Sequence, residues 1–327
     1  MPLAPVNPSL RSNVMSIATI IWAGASLLWA APLPEAPPVV VAPVQAAAPA
    51  SAESRKLPAP VEEVLTTHDG VQLVVTFLPG SKGKDSVPII LLHMYKGGRK
   101  DFRDLALYLQ SLGHAVLIPD LRGHGASTKM ANGTTLELSK VAYQKIVDAD
   151  MEALKGYLMA KNNKQELNID KLCVVGAEMG ASVAALWAQI DWSWPPLATG
   201  KQGQDVKALV LISPQYVCKT LKLADALGGH SPVVKELSVL LIVGDRNPTF
   251  LKDTKRVYDI LKRYHPEPPP NRKQEDQDLF LVKLPTDLQG TNLQTVKKPA
   301  IDQLIGQFVE LRLVKKNIPW RDRSGPK

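Results

Sequence analysis

Short apolar runs alternate with amphipathic stretches along most of the chain. The runs at 87–93, 115–120 and 172–176 are almost continuously apolar, which is typical of parallel strands that are buried on both faces. Between them, residues 101–112 and 141–160 carry apolar side chains at helical spacing. This alternation predicts an α/β fold: a doubly wound, mostly parallel sheet with helices on both faces.

Further elements precede and follow this central part. A hairpin is predicted at 64–77, because Asp69-Gly70 separates two alternating segments. The later strands are predicted at 208–213, 237–243 and 279–284, and the later helices at 179–190, 250–263 and 298–314. No long insertion follows Ser213, so we expect any lid over a pocket to be small.

The first sixty residues differ from the rest of the chain. After Arg11, residues 14–31 form a charge-free apolar run, the pattern of a secretory signal. The run is also close to the length that spans a bilayer, so an uncleaved membrane anchor remains an alternative, as does a buried helix. We therefore expect a signal or anchor over 1–31 and, from its Pro and Ala content, a disordered linker over 32–60. Both the signal and the anchor predict an exported protein, either periplasmic or extracellular, or held at a membrane.

Composition and charge limit the classes of function. The chain has 327 residues, is 45% hydrophobic and carries a formal net charge of +8. This suits one α/β domain over 61–318, followed by a basic tail over 319–327. The cations are spread along the domain without a dense basic arm or an aromatic ladder, so we expect no nucleic-acid partner. Attraction of this cationic surface to anionic lipid or envelope polymer is an open alternative.

The chain has two cysteines, and we expect both to be free thiols. Cys173 lies within a predicted strand and Cys218 lies beyond the end of the next one, a placement that disfavours a bond between them. No metal-ligand spacing is present, so we expect neither a metal nor another cofactor.

The most informative motif lies at a predicted strand-to-helix turn. Residues 176–180 read Gly-Ala-Glu-Met-Gly, a G-x-E-x-G version of the G-x-S-x-G nucleophile elbow. Three other motifs precede it in order: Thr-His-Asp-Gly-Val-Gln-Leu at 67–73, Leu-Leu-His-Met-Tyr-Lys-Gly-Gly at 91–98 and Asp-Leu-Arg-Gly-His-Gly-Ala-Ser at 120–127. Together they resemble the α/β-hydrolase family over about residues 62–316.

This resemblance implies a degenerate catalytic triad. The family reaction needs a nucleophile, an acid and a base, in the chain order Ser, Asp or Glu, His. The resemblance places Glu178 in the nucleophile position, Asn247 in the acid position and Gln289 in the histidine position. All three have changed from reactive to inert, which indicates a loss or a change of the family's function.

Some routes to catalysis remain open. A carboxylate such as that of Glu178 can act as a nucleophile, and family members that open epoxides or cleave carbon–halogen bonds place an aspartate here. Glutamate is longer by one methylene, and a misplacement of about 1 Å can cost roughly 10²-fold in rate. Asp245 lies near the acid position but two residues early. His93 and His124 are candidate substitute bases, although in relatives both positions brace loops.

A pocket frame is still expected around the elbow. The backbone N–H groups of Met94 and Met179 would form an oxyanion hole. The candidate pocket residues are His93, Met94, Glu178, Met179 and Asp245. The carboxylate would repel an anion and accept a cation, an amide or water, or it would simply fill the cavity. Burial should raise the pKa of Glu178, unless Lys96 or Arg99 reaches it.

Three functions follow from these observations. The first is an exported or membrane-tethered pseudoenzyme of hydrolase fold that binds an unidentified small molecule or protein. The second is an active hydrolase that uses Glu178 as a carboxylate nucleophile. The third is a structural envelope module with a cationic surface, which would be favoured if side chains fill the old pocket.

Overall fold

The computed structural model describes residues 57–197 and 200–324, apart from the side chains of 273 and 274. The signal or anchor predicted over 1–31 lies outside the described residues, as does nearly all of the linker predicted over 32–60. Within the described part of the chain, no helix is both long enough and apolar enough to cross a bilayer.

Eleven strands and seven α-helices make up the described part of the chain. The strands are β1 (Val61–Thr66), β2 (Val71–Leu78), β3 (Pro88–Leu92), β4 (Ala115–Pro119), β5 (Lys129–Met130), β6 (Leu172–Ala177), β7 (Val206–Ile212), β8 (Val217–Cys218), β9 (Leu221–Lys222), β10 (Ser238–Gly244) and β11 (Leu279–Leu284). The helices are α1 (Arg103–Ser111), α2 (Lys140–Lys145), α3 (Met151–Asn163), α4 (Met179–Ser193), α5 (Pro248–Lys262), α6 (Lys273–Asp276) and α7 (Ile301–Val309).

One large sheet organises the domain. Its strand order is β1-β2-β4-β3-β6-β7-β10-β11, and β5 pairs with β2. Every neighbouring pair from β4 to β11 is parallel, whereas the pairs made by β2 are antiparallel. This arrangement confirms the predicted mostly parallel sheet. β8 and β9 form a separate small hairpin above the carboxyl end of β7.

Helices cover both faces of the sheet. Successive residues of a strand point to opposite faces, and in β6 Val174 and Val175 accordingly join different hydrophobic clusters. Leu154 of α3 and Val257 of α5 belong to the Val174 cluster, whereas Leu105 of α1 belongs to the Val175 cluster. The continuous apolar character of β6 is therefore explained by burial on both sides.

The helix predicted at 141–160 is interrupted by one wide turn. α2 continues through a π-helical segment, Ile146–Asp150, into α3. The buried Asp150 at the end of this segment accepts hydrogen bonds from the backbone N and Nε of Arg122, at 3.1 and 2.7 Å. Burial raises the pKa of Asp150 to about 6, although the charge of Arg122 acts in the opposite direction. The wide turn thus coincides with a buried ion pair.

The described part of the predicted basic tail is docked on the domain. The backbone N of Arg323 donates to Oδ1 of Asn163 over 3.1 Å, and Nδ2 of Asn162 donates to the carbonyl of Arg321 over 3.0 Å. The Arg323 guanidinium lies 2.7 Å from the buried carboxylate of Asp205. Helix α3 therefore holds this part of the tail through both side-chain and backbone contacts.

Candidate functional site

Glu178 occupies the sharp turn between β6 and α4. Its φ of 48° lies in the left-handed region that few residues other than glycine adopt, with a ψ of −104°. Its backbone N donates to the carbonyl of Ile212 over 2.9 Å, which fixes the turn to β7. A Cβ at Gly176 would lie 2.2 Å from the carbonyl oxygen of Gly180, so only glycine permits this approach of strand and helix.

The Glu178 side chain is half-buried and lies against the loop that follows β11. A Cβ added at Gly290 would come within 2.7 Å of Oε1 of Glu178 and 2.9 Å of Sδ of Met94. The carboxylate therefore occupies the space between the elbow and this loop. Burial raises the pKa of Glu178, which confirms the expected direction.

The two cations considered as partners of Glu178 are directed elsewhere. Arg99 pairs with Asp120 and, at 3.0 Å, with Glu62. The ammonium of Lys96 lies 5.8 Å from the centre of the Tyr95 ring. Because neither reaches the carboxylate, desolvation determines its pKa.

Gln289 is buried, and its side chain is fully engaged by neutral partners. Its Oε1 accepts a hydrogen bond from the Ser213 hydroxyl over 2.8 Å, and its Nε2 donates to the carbonyl of Gly244 over 2.8 Å. The same hydroxyl accepts from the backbone N of Gly290 over 2.9 Å. An amide and a hydroxyl are therefore bonded to each other at the position where the resemblance to the hydrolase family predicts an imidazole.

Asn247 belongs to a helix cap and not to this network. Its Oδ1 accepts hydrogen bonds from the backbone N of Thr249 and of Phe250, at 3.2 and 3.4 Å, at the start of α5. The backbone N of Asp245 donates to the carbonyl of Leu284. The side chain bonded to Gln289 is instead that of Ser213, which directly follows β7.

Both histidines near the site brace loops. His93 is buried, its Nε2 accepts from the backbone N of Leu121 over 3.0 Å, and its Nδ1 donates to the carbonyl of Met94 over 2.7 Å. Both ring nitrogens are therefore used, and burial lowers the pKa of His93. Nδ1 of His124 bonds to the carbonyl of Arg122 over 3.0 Å. Nε2 of His124 is buried without a partner among the described residues.

Four residues that sequence reasoning did not assign surround the mouth of the site. The Tyr95 and Tyr143 rings lie 6.3 Å apart, and Nζ of Lys219 lies 3.8 Å from the centre of the Tyr95 ring. The hydrogen bond from Tyr143, followed by the charge of Lys219, lowers the pKa of Tyr95. Burial and then the charge of Glu178 raise the pKa of the Cys218 thiol to about 11. Cys218 ends β8, and Lys219 lies in the turn that leads to β9.

Five open cavities of the described surface lie away from this site. Five cavities have volumes from about 350 to about 820 Å³, and none of the five is lined by Glu178, His93 or Met94. Among the described residues, no group of three His, Cys, Asp or Glu side chains is arranged to hold a metal ion. Cys173 and Cys218 are buried thiols.

Comparison with known proteins agrees with this geometry. Residues 87–236 match the family model of the α/β-hydrolase fold. An esterase of Pyrococcus furiosus is 19% identical over 78% of this chain and 93% of its own, with a TM-score of 0.56. A hyperthermophilic esterase of the archaeon Pyrobaculum calidifontis is 15% identical over 79% of this chain and 87% of its own, with a TM-score of 0.54.

A putative hydrolase of Agrobacterium vitis is 15% identical over 77% of this chain and all of its own, with a TM-score of 0.51. No curated protein sequence matches the chain. At such low identities these structures show a shared fold and not a shared substrate. The strand order, the elbow at Glu178 and the family model matched by residues 87–236 show that the domain has the α/β-hydrolase fold.

Proposed function

We propose that this protein is a pseudoenzyme of the α/β-hydrolase fold, which no longer performs triad hydrolysis and acts by binding. The observation that carries the proposal is the neutral network of Ser213, Gln289 and Gly244. Triad chemistry needs a base that takes a proton from the nucleophile and returns it to the leaving group. A primary amide cannot take up that proton near neutral pH.

Both remaining histidines near the elbow are buried, and the unpartnered Nε2 of His124 is closed off from solvent. His93 uses both ring nitrogens in hydrogen bonds to the backbone, so it has no lone pair for a substrate. His124 bonds through Nδ1 to a backbone carbonyl, and its ring packs 5.2 Å from that of His93. Hydrolysis of an ester on Glu178 would require a water activated by one of these rings.

Because the Glu178 side chain fills the space at the elbow, we expect a ligand to bind at another surface of the domain. Glu178, Gly290 and Met94 are in close contact, and the five open cavities lie elsewhere. The binding partner is a small molecule or a protein whose identity is open. The apolar run at 14–31 supports a secreted or membrane-tethered protein as part of this proposal.

A second candidate function is hydrolysis through a carboxylate nucleophile. The observation in its favour is the elbow itself, because Glu178 has the strained φ and ψ of a nucleophile and remains half-exposed. Attack by Oε1 on an ester carbonyl would release the alcohol and leave an anhydride on Glu178. Water would then break that anhydride and regenerate the carboxylate.

Isotope labelling separates the two candidates. The full chain is incubated with p-nitrophenyl acetate in H2¹⁸O, and the peptide containing Glu178 is examined by mass spectrometry. The pseudoenzyme proposal predicts no release of p-nitrophenol above the uncatalysed rate and no ¹⁸O in the Glu178 carboxylate. Incorporation that depends on the ester would contradict it and establish the carboxylate nucleophile, with the Glu178→Gln variant as the matched control.

A further inference from the structure

The outer face of α5 forms a strongly cationic groove that is separate from the elbow. The groove has a volume of about 820 Å³ and is lined by Lys252, Lys255, Arg256 and Arg263. One carboxylate, Asp259, lies among these four cations. The local net charge is therefore +3, as four positive and one negative group. We propose that this groove binds an extended acidic polysaccharide.

The cations form a line and not a round patch. Positions 252, 255, 256, 259 and 263 follow the spacing of neighbours on one helix face. At 1.5 Å of rise per residue, the line from Lys252 to Arg263 extends over about 16 Å. An extended chain with repeated negative charges matches this line better than a single small anion does.

Three of these cations, Lys252, Lys255 and Arg263, are free to bind a ligand, whereas Arg256 stacks on the Tyr216 ring. Lys252, Lys255, Arg256 and Arg263 are exposed, and no ion pair between described residues includes any of them. By contrast, the neighbouring Lys262 is paired with Glu267 over 3.3 Å. The groove therefore has positive charge that no internal carboxylate compensates.

The floor of the groove favours a sugar over a nucleic-acid base. Leu251, Ile260 and Pro248 line it together with one aromatic ring, that of Tyr216. The Arg256 guanidinium already covers one face of this ring, at 3.6 Å from its centre. Single-stranded nucleic acids depend on free aromatic faces for base stacking. A pyranose ring needs only an apolar floor for its C–H face, with cations placed to reach its carboxylates.

The direction of the buried face of α5 disfavours a bilayer as the partner. The buried apolar residues of α5, Val257 and Leu261, pack into the core and do not line the groove. A membrane-bound amphipathic helix instead presents its apolar face to the lipid. The groove assignment rests on the proposed function, in which the domain acts by binding, and it specifies the class of ligand.

Binding of galacturonan oligomers to the full chain tests the inference by calorimetry, at low and at moderate salt. The groove variant carries Lys252→Gln, Lys255→Gln and Arg263→Gln. The matched control carries Lys100→Gln, Arg103→Gln and Lys235→Gln, which remove the same charge from exposed cations elsewhere. We expect the groove variant to bind about tenfold more weakly or worse, with a smaller salt dependence, since fewer counterions are released. The control should bind as the wild type does.

Three outcomes would overturn the inference: no binding of galacturonan, an equal loss in both variants, or tighter binding of single-stranded DNA or of phosphatidylglycerol vesicles. Uncharged dextran should not bind. Ester turnover measured on the same preparations keeps the two proposals apart. Ester turnover would overturn the pseudoenzyme proposal without affecting the groove assignment. Loss of specific galacturonan binding would overturn the groove assignment without affecting the pseudoenzyme proposal.

Discussion

The hydroxyl of Ser213 donates a hydrogen bond to the side-chain oxygen of Gln289 over 2.8 Å. Ser213 directly follows β7 and Gln289 follows β11, so this bond joins the ends of two strands that are separated by β10. Both partners of this bond are neutral. Triad chemistry instead depends on a charged acid coupled to an imidazole, the pair that the resemblance to the hydrolase family predicts near this edge of the sheet.

Ser213→Ala should lower the free energy of unfolding by about 1–3 kcal/mol, because it leaves buried polar groups without partners. The groups affected are Oε1 of Gln289 and the backbone N of Gly290. Urea denaturation measures the loss. Ser111→Ala is the control, since its exposed hydroxyl bonds only locally, to the carbonyl of Tyr108. If both changes cost the same few tenths of a kcal/mol, the Ser213 network would not be a fixed part of the site.

Glu178→Gln should leave the free energy of unfolding at pH 7 unchanged or increased. Burial raises the pKa of Glu178, so the ionised carboxylate is less favourable in the folded chain than in the unfolded one. The free energy of unfolding of the wild type therefore falls as the pH rises through this pKa. The variant does not show this fall, because glutamine does not ionise. Melting temperatures of both proteins at pH 4 and pH 7 measure the difference, which should be larger at pH 7. A clear loss of melting temperature at pH 7 would instead indicate an ionised and paired carboxylate.

His114 should make the domain sensitive to acid. It is buried, and burial followed by the charge of Lys82 lowers its pKa to about 4. The unfolded chain takes up this proton near pH 6.5, so the stability contributed by neutral His114 is lost as the pH falls from 6.5 to 4. His114→Gln should remove about 3 kcal/mol of that pH dependence. Denaturation midpoints between pH 4 and 7 give the slope, and the exposed His230→Gln should leave it unchanged. A slope that His114→Gln does not alter would contradict this account.

Arg323→Gln should destabilise the domain by about 3 kcal/mol, because it removes a partner from a buried ion network. Arg323 lies 2.7 Å from the buried Asp205, which also pairs with Lys155 and Lys201 at 2.9 and 2.8 Å. Arg321→Gln is the matched control, since Arg321 is exposed and its described contact is made by its backbone carbonyl. Equal urea midpoints for the two variants would show that the tail is not held by this network.

The larger features of the fold can be predicted from the sequence because burial leaves a pattern. β6 is buried on both faces, so its apolar run predicts 172–176 against the observed Leu172–Ala177. The strands β5 and β8 have two residues each, too few to show any alternation. The π-helical segment Ile146–Asp150 likewise leaves no pattern in the sequence, and its ion pair joins Asp150 to Arg122, 28 positions away.

The sequence predicts the positions of site residues only where these residues follow a predicted strand. Glu178 and Gln289 follow β6 and β11, and the sequence places both correctly beside those ends. Asn247 stands before Pro248, which is the pattern of a helix cap followed by proline at the first helical position, and the structure has that cap. The partner of Gln289 is 76 positions away at Ser213, and a hydroxyl–amide bond over that separation leaves no sequence pattern.

Ester turnover by the full chain and by Glu178→Gln, measured side by side from pH 5 to pH 9, distinguishes a pseudoenzyme from an active hydrolase. With p-nitrophenyl acetate and butyrate as substrates, both proteins should match the uncatalysed rate at every pH, since no base is present at Gln289. A rate above background in the wild type that Glu178→Gln abolishes would contradict the account, because it would show that the carboxylate at the elbow is a working nucleophile.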